Sequence, residues 1–181
     1  MRITGGLFKR LEIYTPKGKD TRPCSGITRE SIFNILGSSI EGLSVLDLYA
    51  GSGSFGFEAL SRGASSVLFV ENEDLPLKCI KKNAEKLAVS EQIKILKRNL
   101  PVGIKSIHFR GCPDLIFLDP PYSKGFVNNT LSGIKKYGLA TDTTMIIVEH
   151  AKKEVPEESF FNIIDQRKYG KSLISILNYL P

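Results

Sequence analysis

The feature that most constrains the fold is an alternation of short apolar runs with helical segments between residues 44 and 149. The apolar runs predict five strands, at 44–48, 67–71, 92–97, 114–118 and 144–149, and the periodicity between them predicts helices at 54–62, 74–88 and 126–137. Runs such as Leu115-Ile116-Phe117-Leu118 are apolar at every position, which is typical of strands covered by helices on both faces. The pattern predicts an α/β fold built on a mostly parallel sheet.

The two ends of the chain complete this prediction. Segments 161–168 and 171–179 are too close in sequence for a helical crossover, so they predict an antiparallel pair that closes the sheet. Before the alternation, the Gly5-Gly6 and Pro16-Lys17-Gly18 turns predict a short β-hairpin and a loop. Ser25 then caps a predicted helix that ends near Gly37, with an apolar face made of Ile27, Ile32, Phe33, Ile35 and Leu36.

Length and composition narrow the class of protein. A chain of 181 residues fits a single domain, with 1–25 as a basic extension and 26–181 as a core. No apolar run approaches the roughly 20 residues that span a bilayer, and the first residues lack a secretory pattern. Three scattered cysteines and two histidines show no metal-ligand spacing. Glu149 and His150 are adjacent, but neighbouring strand residues point to opposite faces, so we interpret the pair as accidental. We therefore expect a cytoplasmic monomer that binds neither membrane nor metal.

Positive charge is concentrated at the N-terminus. The chain has a net charge of +6, and residues 1–30 hold seven basic and three acidic side chains, a local net charge of +4. Such a segment is typical either of a surface that binds nucleic acid or of a solvated hairpin. Charge alone leaves both interpretations open.

A glycine-rich turn follows the first predicted strand of the alternation. Val45-Leu46-Asp47-Leu48 runs into Gly51-Ser52-Gly53, and a helix begins beyond it. Glycine allows positive φ and close approach of a ligand, while the helix N-terminus offers free N–H groups. Asp47 falls at the carboxyl end of its strand, where open α/β sheets bind ligands. These residues predict a site for a nucleoside cofactor.

The same turn fits two cofactors. Gly51, Gly53 and Gly56 match the dinucleotide pattern, and Glu71 ends the next strand, where a carboxylate accepts hydrogen bonds from ribose hydroxyls. NAD and a methyl donor such as S-adenosylmethionine both satisfy this pattern. The position of Asp47 before the turn favours the methyl donor, because the loop backbone or water can link Asp47 to the charged amino-acid end of that molecule. Asn99-Leu100, after the third strand, is placed to read an adenine edge.

A second motif, Asp119-Pro120-Pro121-Tyr122, follows the 114–118 strand. Two prolines make this loop stiff and remove its N–H donors, so the loop presents acceptors. The Asp119 carboxylate and the Pro120 carbonyl can accept both N–H bonds of an exocyclic amine and direct its lone pair at an electrophilic methyl group. Tyr122 can stack on the base that carries the amine. This motif predicts methyl transfer to a base amine.

Taken together, these motifs resemble a known family. The core motifs resemble those of class I methyltransferases that modify exocyclic amines. These motifs are Asp47-x-x-Ala50-Gly51-Ser52-Gly53, Glu71 and Asp119-Pro120-Pro121-Tyr122. A further set resembles the RsmD family more narrowly: Arg2-Ile3-Thr4-Gly5-Gly6, Pro16-Lys17-Gly18, Thr21-Arg22-Pro23, Arg29-Glu30-x-x-Phe33-Asn34-Ile35-Leu36 and Tyr169-Gly170-Lys171-Ser172. The resemblance covers nearly the whole chain. One departure is Cys24-Ser25-Gly26, where the family has Thr directly after Arg-Pro.

The resemblance implies a fold, a reaction and a set of site residues. The fold is a Rossmann-like class I methyltransferase fold with a seven-stranded, mostly parallel sheet and an antiparallel C-terminal strand, preceded by a hairpin and a helix. The reaction is methylation of guanine N2 in small-subunit (16S) ribosomal RNA, free or in a particle, with S-adenosylmethionine as donor. The catalytic residues are Asp119, Pro120 and Tyr122, and the cofactor residues are Asp47, Ala50, Gly51, Gly53, Glu71, Asn72, Asn99 and Leu100. The RNA-binding residues are Arg2, Lys9, Arg10, Arg22 and Arg29.

Three alternatives stay open at this point. An adenine-N6 methyltransferase acting on DNA or RNA fits the Asp119 motif equally well. Enzymes that read DNA sequence generally need additional chain, and little of this chain lies outside the predicted sheet. An NAD-dependent oxidoreductase fits the glycine turn but lacks a convincing proton-transfer residue. A catalytically silent RNA-binding assembly factor fits the basic N-terminus, although the Asp119 motif argues against it.

Overall fold

The structure, a computed structural model, describes residues 1–16, 26–122, 124–159 and 161–180, except for the side chains of residues 38 and 39. The chain folds into two compact units, residues 1–97 and 98–181. The prediction of a single domain over 1–181 stays a prediction. Ser25, predicted as a helix cap, and Arg22 lie outside the described residues.

The first unit is a three-stranded parallel sheet with helices. Its elements are α1 (Gly26–Leu36), β1 (Ser44–Leu48), α2 (Ser54–Ser61), β2 (Ser66–Glu71), α3 (Asp74–Lys86) and β3 (Ile93–Lys97). The strand order is β3-β2-β1, with Leu46 opposite Leu68 and Phe69 opposite Ile95. Because β1 and β2 are buried along nearly their whole length, their side chains form the core beneath the glycine turn.

The second unit is a four-stranded mixed sheet. It contains β4 (Leu115–Leu118), α4 (Phe126–Lys136), β5 (Met145–Ala151), β6 (Phe161–Tyr169) and β7 (Ser172–Tyr179), in the order β4-β5-β7-β6. β4 and β5 are parallel, while β7 is antiparallel to both β5 and β6. The two-residue connection between β6 and β7 explains the antiparallel pairing, because it is too short for a crossover.

The predicted fold class is confirmed. The seven strands of the described residues are mostly parallel, alternate with helices and end in antiparallel strands. Each predicted strand or helix from residue 44 onward is present, with ends that differ by at most two residues. Among the described residues, no helix is long and apolar enough to cross a membrane.

The N-terminal segment, residues 1–16, is a hairpin that holds only one antiparallel bridge, between Arg2 and Glu12. The Ile3 N–H donates to the Leu11 carbonyl at 3.0 Å beside it. One prediction for α1 is wrong, because Ile27 is 75% exposed and does not belong to the apolar face. The buried face is instead made of Thr28, Arg29, Ile32, Phe33 and Leu36.

Candidate functional site

The glycine turn after β1 depends on left-handed backbone. Tyr49, Gly51 and Gly53 have φ values of 59°, 54° and 82°. A Cβ on Gly53 would lie 2.7 Å from the Phe57 ring, so close packing also requires glycine there. A Cβ on Gly51 would have no heavy atom of the described residues within 4 Å. Gly51 therefore presents its backbone to an open side of the turn.

Gly56 serves packing between a helix and a strand. It lies in the first turn of α2, and a Cβ at this position would collide with the Phe69 ring of β2. In the dinucleotide pattern, the third glycine has the same packing role. The literal match of Gly51, Gly53 and Gly56 to that pattern therefore reflects how α2 packs, and it does not discriminate between cofactors.

Asp47 is buried beneath the turn and is only 2% exposed. Its Oδ2 accepts a hydrogen bond from the Gly56 N–H at 3.0 Å, which fixes the first turn of α2. Burial raises the pKa of Asp47 to about 8, and the charge of Glu71 acts in the same direction, while the Gly56 bond opposes them. Asp47 can therefore influence a ligand only through the loop backbone, and its predicted role toward the donor stays a prediction.

Glu71 joins the end of β2 to the turn after β1. Its Oε2 accepts from the Gly51 N–H at 2.7 Å, and its Oε1 accepts from the N–H groups of Asn72 and Glu73 at 2.6 and 2.9 Å. Next to it, the buried Ala50 donates its N–H to the Val70 carbonyl at 3.0 Å. The structure thus brings together Ala50, Gly51, Glu71 and Asn72 at one sheet edge.

Asn83, on α3, is a residue that the sequence analysis missed. Fully buried, it donates from Nδ2 to the Ser52 carbonyl at 3.3 Å and to the Tyr14 carbonyl at 3.0 Å. Its Oδ1 accepts from the Tyr14 N–H at 2.6 Å. One side chain therefore anchors both the glycine turn and the N-terminal segment. The available signal was an amide between Ile80 and Ala84 on the apolar face of a predicted helix.

Glu58 is the second anchor of the N-terminal segment. This carboxylate on α2 is fully buried and accepts from the Thr4 N–H and hydroxyl at 2.9 and 2.7 Å, and from the Gly5 N–H at 2.8 Å. It also forms ion pairs with Arg29 at 3.2 Å and Arg62 at 2.9 Å. Burial acts to raise the pKa of Glu58, but the bonds from Thr4 and Arg62 and the charge of Arg29 hold it below its ordinary value.

The prediction that Arg29 contacts RNA needs correction. Its side chain is 1% exposed and is held by Glu58, so its charge is neutralised inside the protein. Of the other predicted RNA-binding residues, Lys9 and Arg10 are exposed, and Arg2 is an exposed partner of Glu12 at 3.0 Å. The Arg-Ile-Thr-Gly-Gly motif therefore contributes mainly to docking of the N-terminal segment on α2.

In the second unit, the Asp-Pro-Pro-Tyr loop begins where β4 ends. Asp119 is half-buried, and Pro120 is buried. The Tyr122 hydroxyl donates to Glu149 Oε1 at 2.8 Å and shares a hydrogen bond with Ser172 Oγ at 2.7 Å. Burial raises the pKa of Tyr122, as do the charges of Glu149 and Asp119, so the phenol stays protonated as a donor.

The neighbouring residues Glu149 and His150 were interpreted from sequence as an accidental pair. They do point to different surroundings, but both are buried and hydrogen-bonded. Glu149 holds Tyr122, whereas His150 Nε2 lies 2.8 Å from Ser175 Oγ, and burial lowers the pKa of His150. Among the described residues, no group of three or more His, Cys, Asp or Glu side chains is arranged to hold a metal ion.

Asn99 and Leu100, predicted to read an adenine edge, follow β3. Asn99 is exposed, and its carbonyl accepts from the Gly103 N–H at 2.7 Å. Leu100 is buried. This bond closes the loop that leads from β3 into a 3-10 helix at Val102–Ser106, and the predicted contact of Asn99 with adenine stays a prediction.

The chain is similar to known proteins over nearly its whole length. A family model described as "Conserved hypothetical protein 95" matches residues 1–178. The chain is 31% identical to "Putative rRNA methyltransferase YlbH" of Bacillus subtilis over 183 residues, which cover 97% of each chain. It is also 29% identical to "Ribosomal RNA small subunit methyltransferase D" of Escherichia coli over 150 residues, covering 82% of this chain and 74% of that protein.

A solved structure extends the likeness to three dimensions. The crystal structure of the putative methylase HI0767 from Haemophilus influenzae has a TM-score of 0.84 and 26% identity. The match covers 99% of this chain and 98% of that one. The chain thus has a Rossmann-like methyltransferase fold.

Proposed function

Because the chain belongs to the family described as conserved hypothetical protein 95, which comprises RsmD-type class I methyltransferases, we propose that it methylates the exocyclic N2 of a guanine in small-subunit ribosomal RNA. The donor in this proposal is S-adenosylmethionine, which supplies a methyl group on a positively charged sulfur. The observation that carries the proposal is the Asp119-Pro120-Pro121-Tyr122 loop directly after β4 in a chain of methyltransferase fold.

The first unit has the properties that a nucleoside donor requires. The open side of Gly51 allows close approach to the backbone, and Glu71 offers carboxylate oxygens at the same sheet edge. Glu71 Oε2 accepts one hydrogen bond, from Gly51, so its second lone pair can accept from a ribose hydroxyl while it holds the turn. Under the proposal, Gly51, Gly53 and Glu71 bind and orient the donor, while Asp47 and Asn83 support the turn from beneath.

The second unit supplies the groups that an amine substrate requires. The half-buried Asp119 carboxylate and the carbonyl of Pro120 are acceptors in a stiff loop. A base amine is a poor nucleophile because its lone pair is delocalised, so two accepted N–H bonds that favour pyramidal nitrogen raise its reactivity. Tyr122 holds the base by stacking. Positioning of this kind lowers the barrier without a covalent step by the protein.

The proposed RNA surface is the exposed part of the N-terminal segment. Lys9 and Arg10 lie on the hairpin that Glu58 and Asn83 anchor to α2 and α3. Because the hairpin is anchored, its backbone loses little conformational entropy when these two cations bind phosphates. Arg2 belongs to the same hairpin. The names of the relatives support ribosomal RNA as the proposed partner.

One experiment tests base, atom and substrate together. The protein is incubated with S-adenosylmethionine and either 16S rRNA or small-subunit particles, and the nucleosides are analysed by mass spectrometry. The proposal expects N2-methylguanosine, whereas N6-methyladenosine would contradict it and support the adenine alternative. Asp119→Ala should abolish transfer while donor binding persists. The matched control is Asp142→Ala, which removes an exposed carboxylate from a loop of the same unit.

A further inference from the structure

The Tyr122 hydroxyl is held by side chains from two strands. Glu149 lies on β5 opposite Ile174, and Ser172 begins β7 opposite both Ala151 of β5 and Tyr169 of β6. The positions of both partners are therefore set by ladder hydrogen bonds. Ser172 also ends the Tyr169-Gly170-Lys171-Ser172 motif, to which the proposed function gives no role.

Glu149 is costly to bury in this arrangement. The residue is 7% exposed, and its Oε2 is shielded from solvent with no hydrogen-bond partner in the described part of the chain. Its Oε1 accepts a hydrogen bond from the Tyr122 hydroxyl at an O···O distance of 2.8 Å. A buried carboxylate with one neutral donor is a poor source of stability, because desolvation outweighs such a bond. Residues that break the packing rules in this way are expected at functional sites.

Two tethers at the hydroxyl constrain the whole ring. The hydroxyl oxygen lies on the χ2 axis, so holding it in place restricts χ1 but not ring rotation about χ2. The phenol O–H and the accepting lone pair favour the ring plane, so the two hydrogen bonds together favour one plane of the ring. A ring that is already fixed loses little conformational entropy when a base stacks on it. Asp119 lies close enough for its charge to act on Tyr122, so the held ring and the proposed amine acceptor are neighbours in the second unit.

We propose that Glu149 and Ser172 are positioning residues for the target base, because they hold the Tyr122 hydroxyl in place and their hydrogen bonds favour one plane of its ring. The inference rests on the proposed function, in which that ring stacks on the base. It also assigns a role to the late Tyr-Gly-Lys-Ser motif, since this motif delivers Ser172 to the Tyr122 hydroxyl. Neither Glu149 nor Ser172 touches the reacting atoms in this proposal.

The test separates positioning from stability with three variants and one control. Tyr122→Phe keeps the ring but leaves Glu149 without its donor, so both melting temperature and kcat/KM should fall, kcat/KM by about 10-fold or more. The Tyr122→Phe/Glu149→Leu double variant removes both buried polar partners, so its melting temperature should recover. Its kcat/KM should stay low, because the ring is still untethered. Ser172→Ala should lower kcat/KM by a smaller factor, and donor affinity should be unchanged throughout.

Three results would overturn the positioning role. The first is a Tyr122→Phe variant with the kcat/KM of the wild type. The second is a double variant in which kcat/KM recovers together with the melting temperature. The third is a Tyr137→Phe variant that loses as much kcat/KM as Tyr122→Phe does. Tyr137 is the matched control because it is 43% exposed and directly follows α4 as its C-cap residue. Methyl transfer is measured on the RNA or particle that the wild-type protein modifies.

A spectroscopic readout keeps the inference separate from the proposed function. The protein has six tyrosines, and ¹⁹F NMR of 3-fluorotyrosine-labelled protein resolves them individually, with Tyr122 assigned by its loss in Tyr122→Phe. The Tyr122 signal should shift in Glu149→Leu and Ser172→Ala, because each variant removes a hydrogen bond at the hydroxyl. Absence of guanine methylation would overturn the proposed function alone. A Tyr122 signal that is unchanged in both variants would overturn the inference.

Discussion

Glu71 Oε2 accepts a hydrogen bond from the Gly51 N–H at 2.7 Å, so the end of β2 holds the turn that follows β1. The carboxylate reaches this position because β1 and β2 pair in parallel register, which brings their carboxyl ends to the same edge. A ligand that approaches the open side of Gly51 therefore meets a turn that is already ordered. Less conformational entropy is therefore lost on binding to this turn than would be lost on binding to a mobile loop.

The first prediction concerns donor affinity. Glu71→Gln replaces one accepting oxygen by an N–H donor, which leaves either Gly51 or the Asn72 and Glu73 amides without an acceptor. We expect S-adenosylmethionine to bind about 10- to 100-fold more weakly, as measured by titration calorimetry. Glu73→Gln is the control, because Glu73 is exposed and its side chain makes no cap hydrogen bond. Equal affinity in Glu71→Gln and the wild type would contradict the role of Glu71.

The second prediction concerns pH and Asp47. The pKa of Asp47 is raised to about 8 in the folded protein, against an ordinary value near 3.9 in the unfolded chain. Between these values the folded state binds more protons than the unfolded state, so this group makes stability fall as pH rises from about 4 to about 8. Asp47→Asn removes the titration and keeps an acceptor for the Gly56 N–H.

The measurement for Asp47 is the melting temperature as a function of pH. The difference between Asp47→Asn and the wild type should grow in favour of the variant as pH rises from about 4 to about 8, and should level off above it. Two curves that stay parallel over this window would show that Asp47 is ionised in the folded protein throughout.

Local sequence patterns predicted most of the fold. The strands from β1 to β7 and the helices between them follow from apolar runs and periodicity, which act within a few residues. The glycine turn was predictable for the same reason, since Gly51 and Gly53 are required by backbone conformation and packing within one short segment. The Ile27 error arose because one hydrophobic residue on a short helix does not reveal which face is buried.

Long-range partners were not predictable. Arg29 was interpreted as an RNA contact because the sequence does not show that Glu58, 29 residues later, neutralises it inside the core. The bond between Tyr122 and Glu149 joins residues that are 27 positions apart in sequence. Asn83 binds Tyr14 and Ser52, which lie 69 and 31 positions away from it in sequence. These pairings depend on how helices and strands pack, and no local periodicity encodes them.

The third prediction concerns the anchor of the N-terminal segment. Glu58→Gln removes the charge that compensates the buried Arg29, so the free energy of unfolding should fall by about 3–5 kcal/mol, as measured by urea denaturation. Glu12→Gln is the contrast, because the Arg2–Glu12 pair is 72% and 63% exposed. An exposed pair contributes little to stability, because solvent and salt screen its charges. Similar losses in the two variants would contradict the importance of the buried pair.

The fourth prediction concerns RNA binding by the N-terminal hairpin. If Lys9 and Arg10 contact phosphates, replacing both by Gln should weaken binding to ribosomal RNA and reduce the slope of log K against log salt by about 2. Lys78→Gln/Lys82→Gln is the matched control, because it removes the same charge from an exposed face of α3. Filter binding at several salt concentrations measures the slope for both double variants. If the slope stays at the wild-type value in the Lys9/Arg10 variant, or falls equally in both, the hairpin is a solvated structural element and the RNA surface lies elsewhere.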